Sequence, residues 1–205
     1  MVRRTQARGV MTRQRLLAAA EDLFTRRGYA GTTMADVATR AGVGVGTVYH
    51  HFPEKRALLL ELIDAWGERV SARGRSDPDR ERFLGHDPRA AMSAWLRRAY
   101  ERLRKRPSIY LVALALADRD PEVRARWERI QALGIERLRE LLVFGQRRGL
   151  MRADLDAEAA AFLIHHAIDM TAMQLLVLDR PPLEPDRVLT TLNDMICRTI
   201  LEEAR

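Results

Sequence analysis

The stretch GYAGTTMADVATRAGVGVGTVYHHFPEKRALL, Gly28 to Leu59, decides how this chain folds. Thr33-Met34-Ala35-Asp36 has the form of a capping box: the Thr hydroxyl serves a free backbone N–H, and the acid reaches back. A short helix therefore starts after Thr33, and Gly42 ends it. The turn Ala41-Gly42-Val43-Gly44 follows. A second short helix then runs from near Gly44 to Phe52, stopped by Pro53. Two short helices joined by a glycine-containing turn make a helix-turn-helix. The second helix of such a motif lies in a DNA major groove with its N-terminal residues against the bases. Here Val45, Val48 and Phe52 fall at i, i+3 and i+7 and share a buried side. Thr47, Tyr49 and His50 then face outward, offering a hydroxyl, a phenol and an imidazole to phosphate or base edges. Gly46 lets the backbone approach the duplex closely.

Outward from this stretch the chain reads as helices punctuated by Gly and Pro. Before it, Leu16, Leu17, Ala20, Leu23 and Phe24 line one stripe of a helix from about Thr12 to Arg27, which Gly28 stops. After it, a helix from Glu54 to about Arg73 buries Leu58, Leu59, Leu62, Ile63, Trp66 and Val70. Residues 74–87 are polar, with Gly and Pro, and read as a loop. Further helices are expected at about 88–105, 107–117, 121–148, 156–179 and 185–204. Pro88, Pro107, Pro121 and Pro185 stand at helix starts, where a missing N–H costs nothing. The expected fold is all-α with about nine helices. A three-helix helix-turn-helix domain, residues 1–56 with an arm at 1–11, is joined to a larger helical domain, residues 57–205.

Charge separates the same two parts. Residues 1–56 hold ten Lys or Arg against four acids, a surplus of +6 within the chain's +7. A basic quarter on a nearly neutral body points to a polyanion as that quarter's partner. The Arg-rich segment Arg3 to Arg15 is expected to lack order without DNA and to reach the backbone or minor groove. Cys197 is the single cysteine, so no internal disulfide forms. No N-terminal stretch has signal-peptide character, and no segment approaches about 18 uninterrupted apolar residues. No membrane partner is expected, and the expected compartment is the cytoplasm.

The segment Gly28–Leu59 closely resembles the signature of the tetracycline-repressor (TetR) family, and the resemblance extends over roughly residues 12–75. It implies roles position by position. Thr33, besides capping its helix, touches a backbone phosphate. Thr47 and Tyr49 are a phosphate-contacting pair. Val45, Gly46 and His50 face base edges or the groove wall. Lys55 is a phosphate-binding lysine at a helix N-terminus, where backbone N–H groups also favour an anion. Two positions depart from the pattern. Gly44 stands where Ser or Thr often caps the recognition helix, so a hydroxyl contact is lost. Glu54 stands where a capping Ser is common; its carboxylate suits the helix dipole but lies close to DNA phosphate.

The resemblance also implies that the larger domain senses a small-molecule effector and forms a homodimer. Dimerisation has support of its own. Residues 156–179 carry Phe162, Leu163, Ile164, Ala167, Ile168, Met170, Met173, Leu176 and Val177, more apolar surface than one contact face needs. The last helix adds Val188, Leu189, Leu192, Met195, Ile196 and Ile200. A four-helix bundle from two such pairs buries the excess. A single short recognition helix reads too few base pairs, so a palindromic operator in double-stranded DNA is expected. Ligand candidates are aromatic and polar groups on apolar faces: Trp95, Tyr110, Trp127, His165, Asp169 and Met173. Each also reads as ordinary core or dimer interface. His165 and Asp169 are i, i+4 and share a face, where they can bind a ligand or pair with each other.

No nucleotide-binding glycine motif, nucleophile elbow or metal-ligand cluster is present, so an enzyme, a cofactor or a catalytic residue is not expected. His50 and His51 point about 100° apart on a helix and cannot chelate one metal together. A non-specific architectural DNA-binding protein is the alternative, and a helical enzyme the remoter one; a large, near-neutral body is more than architecture requires.

Overall fold

The computed structural model describes residues 2–75, 87–105, 108–177 and 182–202. Among these are nine helices: α1 (Val2–Arg27), α2 (Met34–Ala41), α3 (Val45–His51), α4 (Lys55–Arg75), α5 (Pro88–Lys105), α6 (Ser108–Leu116), α7 (Pro121–Arg147), α8 (Ala157–Val177) and α9 (Pro185–Ile200). The side chains of Arg3, Arg4 and Val70, residues 76–86 of the expected loop and the expected helix ends at 178–179 and 203–204 lie outside the described residues.

The helix start is the first correction. Residues 2–11, expected as an arm, continue α1 back to Val2. No proline interrupts them, and the lone Gly9 costs only about 1 kcal/mol of helix propensity. The Thr12 hydroxyl, expected near the start, instead donates to the Arg8 carbonyl one turn back at 3.0 Å.

Two compact units form. The first holds α1, α2, α3, α4 through Arg69, α6, and α7 through Glu128. Its buried side chains include Leu16, Leu23 and Phe24 of α1, Val37 of α2, and Val48 and Phe52 at α3. Leu58, Leu62 and Ile63 of α4, Ile109 and Tyr110 of α6, and Val123 of α7 join them. The apolar spacing read from sequence accounts for most of this core: Leu16, Leu23 and Phe24 of α1 and Leu58, Leu62 and Ile63 of α4 are buried as their i, i+3, i+4 spacing predicts. Helix α6 packs against α1, which adds residues from beyond the helix-turn-helix to the unit.

The second unit holds the rest of α4 and α7 with α5, α8 and α9. Met92 and Leu96 of α5 pack with Leu142 of α7, Ala161 and Ile164 of α8, and Ile196, Cys197 and Ile200 of α9. The last helix ends with its apolar stripe at Ile200, short of the expected 204. The chain turns extended at Leu201, which pairs antiparallel with Met151 as Arg152 N–H donates to the Ile200 carbonyl. Both Met151 and Leu201 are buried, so packing at this end replaces a further helical turn.

Helix α8 is long and apolar enough to cross a membrane by length and composition alone, with a mean hydropathy of 1.2 over Ala157–Leu176. Its surface divides. Ala160, Ala161, Ile164 and Ala172 face the core, while Phe162, Leu163 and Met170 are exposed. The apolar stripe of α9 divides likewise: Leu189, Ile196 and Ile200 are buried, and Met195 is 63% exposed.

Candidate nucleic-acid interface

The helix-turn-helix is built as its residues dictate. Thr33 caps α2 from an extended conformation: its Oγ1 accepts the Asp36 N–H at 3.1 Å, and the Asp36 carboxylate accepts the Thr33 N–H at 2.9 Å and hydroxyl at 2.6 Å. These two Thr33 donors hold the Asp36 carboxyl below its usual range. At the other end Gly42 has φ +65°, and its N–H and that of Val43 return to the last carbonyls of α2. A side chain at that φ would be strained, which explains the glycine. Gly44 caps α3 by backbone alone, with no side-chain bond.

Helix α3 turns one side inward and one outward. Val48 and Phe52 are fully buried, whereas Tyr49 is 53% exposed and His50 is exposed beside it. Two expectations from periodicity need correction. Val45 is 43% exposed instead of sharing the buried side, because the first residue of a seven-residue helix has no neighbouring turn to cover it. Thr47 is half-buried instead of facing fully outward. The outer face thus presents Val45, Gly46, Tyr49 and His50 together, and Thr33 is exposed at the start of α2.

The basic residues behave differently from the charge count. The Lys55 ammonium donates to the Tyr29 carbonyl at 2.7 Å and the Thr32 carbonyl at 2.8 Å, and lies 4.5 Å from the Tyr29 ring centroid. It clamps the loop between α1 and α2, whose last residue is Thr33. Arg15, expected to reach toward DNA, donates to the Ala41 carbonyl at 2.7 Å, at the C-terminus of α2. Arg13 reaches the His51 carbonyl at the C-terminus of α3 and pairs with Glu61 of α4. Arg26 and Arg40 both pair with Asp22, and Arg27 with Asp36. Arg56 pairs with Asp120. Arg13 and Arg15 thus secure the protein's own helix ends, and Arg26, Arg27, Arg40 and Arg56 are paired with its own acids. Thr32, which the sequence did not single out, braces the same loop: it is buried, and its hydroxyl donates to the Gly28 carbonyl at 2.9 Å.

The ligand candidates divide between the units. In the first, Tyr110 and Trp127 form one aromatic cluster with Trp66. The indoles are nearly parallel with centroids 5.9 Å apart, and Tyr110 stands at steep angles to both, 5.8 Å from Trp66 and 5.1 Å from Trp127. In the second, His165 Nε2 is buried with no hydrogen-bond partner among the described residues, and Asp169 Oδ2 lies 3.6 Å away. That same oxygen accepts from Gln131 of α7 at 2.7 Å. The imidazole rests directly on Gly134 of α7, where any Cβ would collide with the ring. Burial pushes the His165 imidazole below its usual range, and the Asp169 carboxylate opposes this. Trp95 packs against the core of the second unit, and Met173 is half-buried on α8.

Comparison with known proteins agrees with this architecture. Residues 16–62 match the profile of the bacterial regulatory proteins of the tetR family. The HTH-type transcriptional regulator TtgR of Pseudomonas putida is 30% identical, over 87% of this chain and 86% of that protein. An Escherichia coli K12 protein named as an acrEF/envCD operon repressor is 27% identical, over 82% and 77%. Among solved structures, a transcriptional regulator from Saccharomonospora viridis in complex with choline superposes with a TM-score of 0.81 at 25% identity, covering 95% of this chain and all of that one. With its capped helix-turn-helix, its helical body and a relative matched along most of both chains, this chain belongs to the TetR family and is a helix-turn-helix, DNA-binding transcriptional regulator.

Proposed function

We propose that the protein is a homodimeric repressor that reads a palindromic operator and leaves it when a small molecule binds. The observation that carries this reading is the outer face of α3, where Val45, Tyr49 and His50 are exposed side by side over a fully buried Val48 and Phe52. We assign Val45, Gly46 and His50 to base edges or the groove wall, and Thr33, Thr47 and Tyr49 to backbone phosphates. Lys55 acts at one remove, by holding the loop that presents Thr33. The name of the E. coli relative supports repression as the mode.

The dimer follows from reach and from exposed apolar surface. A seven-residue helix covers too few base pairs for specificity, so two copies are needed, with half-sites about one helical turn or more apart. Phe162, Leu163 and Met170 of α8 and Met195 of α9 are exposed, and a second copy packing its α8 and α9 against them covers that surface.

For the effector we assign an organic cation to the Trp66–Tyr110–Trp127 cluster. Quaternary ammonium ligands are recognised by aromatic faces, and the S. viridis regulator was solved with choline, a ligand of that class. His165 with Asp169 is a second, polar candidate within the helical body, and Trp95 and Met173 are candidates for apolar walls. The protein acts in the cytoplasm, on double-stranded DNA, and no catalytic step or cofactor is assigned to it. Selection of duplexes from a random pool by the full chain tests the reading: an enriched inverted repeat is expected, and a pool that stays unenriched contradicts it.

A further inference from the structure

The guanidinium of Arg13 sits at a junction of three helices. Its Nη1 donates to the His51 carbonyl at 3.0 Å, the last carbonyl of α3. Its Nε donates to Glu61 Oε1 of α4 at 2.9 Å, and Nη2 pairs with the other oxygen of the same carboxylate. Its Cζ lies 4.3 Å from the centroid of the Phe52 ring, the residue that ends α3. One planar group therefore engages a helix end, a carboxylate and an aromatic face at once.

Helix α3 needs such a group. It has seven residues, no side-chain cap at Gly44, and an extended Phe52 in place of a left-handed glycine at its C-terminus. Helices this short are not stable alone, and their terminal carbonyls need a donor. A cation at the C-terminus also opposes the helix dipole. Arg15 gives the same service to α2 through the Ala41 carbonyl. We propose that Arg13 is a positioning residue for DNA reading: by tying the C-terminus of α3 to Glu61, it fixes the angle at which Val45 and His50 meet the base edges, and it binds no phosphate itself.

The two roles separate in the energetics of DNA binding. A phosphate contact supports binding to every sequence and contributes about one unit to the slope of log affinity against log salt. Helix orientation matters for base edges, so its loss lowers operator affinity and spares non-specific binding. The fork geometry of arginine matters as well. Lysine keeps the charge but cannot engage carboxylate and carbonyl from one rigid plane.

The test uses the full chain, an operator duplex selected by the protein, and a scrambled duplex of equal length. Arg13→Lys is expected to lower operator affinity by about tenfold or more, with scrambled-duplex affinity and salt slope unchanged. Glu61→Gln is the second variant, and it decides the matter if Arg13→Lys loses its helical circular dichroism. Removing an acid near DNA strengthens binding to both duplexes if Glu61 acts only as a charge, whereas positioning predicts a loss on the operator. Parallel losses on both duplexes with a shallower slope, unchanged operator affinity in Arg13→Lys, or a gain on both duplexes in Glu61→Gln would overturn the inference. It rests on α3 being the reading helix, for which His50→Ala is the control. A loss in His50→Ala without one in Arg13→Lys removes only the inference; no loss in either removes the α3 reading with it.

Discussion

Arg56 and Asp120 meet in a two-pronged ion pair, Nε to Oδ2 at 2.6 Å and Nη2 to Oδ1 at 2.8 Å, and Asp120 Oδ1 also accepts the N–H groups of Glu122 and Val123. A single carboxylate thus caps α7 and ties its first turn to the first turn of α4. Further links join the same helices within this unit: Arg56 to Glu122 at 3.3 Å, Arg126 to Asp64 at 3.0 Å, and Trp127 stacked on Trp66. The first turns of α7 are therefore tied to α4, which continues from the helix-turn-helix, by side chains besides the chain itself.

The Arg56 pair makes stability depend on pH in a defined window. The Arg56 guanidinium and two backbone N–H groups hold the Asp120 carboxyl at about 2, against a usual 3.8. A carboxylate whose folded pKa is depressed stabilises the fold above its usual pKa, and loses that contribution as pH falls toward the folded value. The Asp120→Asn variant should melt lower than the parent at neutral pH, and its melting temperature should fall less between about pH 4 and pH 2. Thermal melts across that range check this, and parallel pH profiles for the two proteins would refute it.

Tyr49 and Lys55 should separate when each is removed. Tyr49 is half-exposed, so Tyr49→Ala should leave the melting temperature unchanged while weakening operator binding by about 1.5–3 kcal/mol, the range for a hydrogen bond to a charged group. Lys55→Met should lower both, because it frees the Tyr29 and Thr32 carbonyls. Melting curves beside operator titrations distinguish them. An unchanged melting temperature in Lys55→Met would show that its carbonyl contacts carry no stability.

An acid on the exposed apolar face should break the dimer without unfolding the chain. Leu163 is 65% exposed in the single chain, so Leu163→Asp costs little until a second copy buries it. Ile196, on the same stripe as Met195, is core, and Ile196→Asp should unfold the protein instead. Sedimentation at micromolar concentration should show a parent dimer and a folded Leu163→Asp monomer. A dimeric Leu163→Asp variant would move the interface elsewhere.

Choline should change the indole fluorescence in a way its uncharged tert-butyl analogue does not, because an aromatic face attracts the cation and not its neutral shape. Trp127→Leu should abolish the response. Equal responses to both compounds would remove the cationic class of effector while leaving DNA recognition untouched.

The parts of this molecule legible in its sequence are the local ones. The Thr33–Asp36 capping box, the Gly42 turn and the burial of Val48 and Phe52 depend on neighbours within one or two helical turns. What escaped depends on distant partners. Counting Arg13, Arg15 and Lys55 as surface charge missed that each finds a carbonyl 23 to 38 residues away. The cluster of Trp66, Tyr110 and Trp127 joins three helices no periodicity connects. Nor does the sequence show that Gly134 of α7 meets His165 of α8, where the missing Cβ is the space that the imidazole ring fills.

Hydroxyl-radical footprinting of the full chain on a selected operator, with the number of bound chains counted by sedimentation, tests whether two copies read an inverted repeat through α3. Two symmetric protected patches are expected on one face of the duplex, about one helical turn or more apart, from two chains, and both should disappear in Tyr49→Ala at the same concentration. Uniform protection along the duplex, or a single chain protecting one unsymmetrical patch, would contradict that reading.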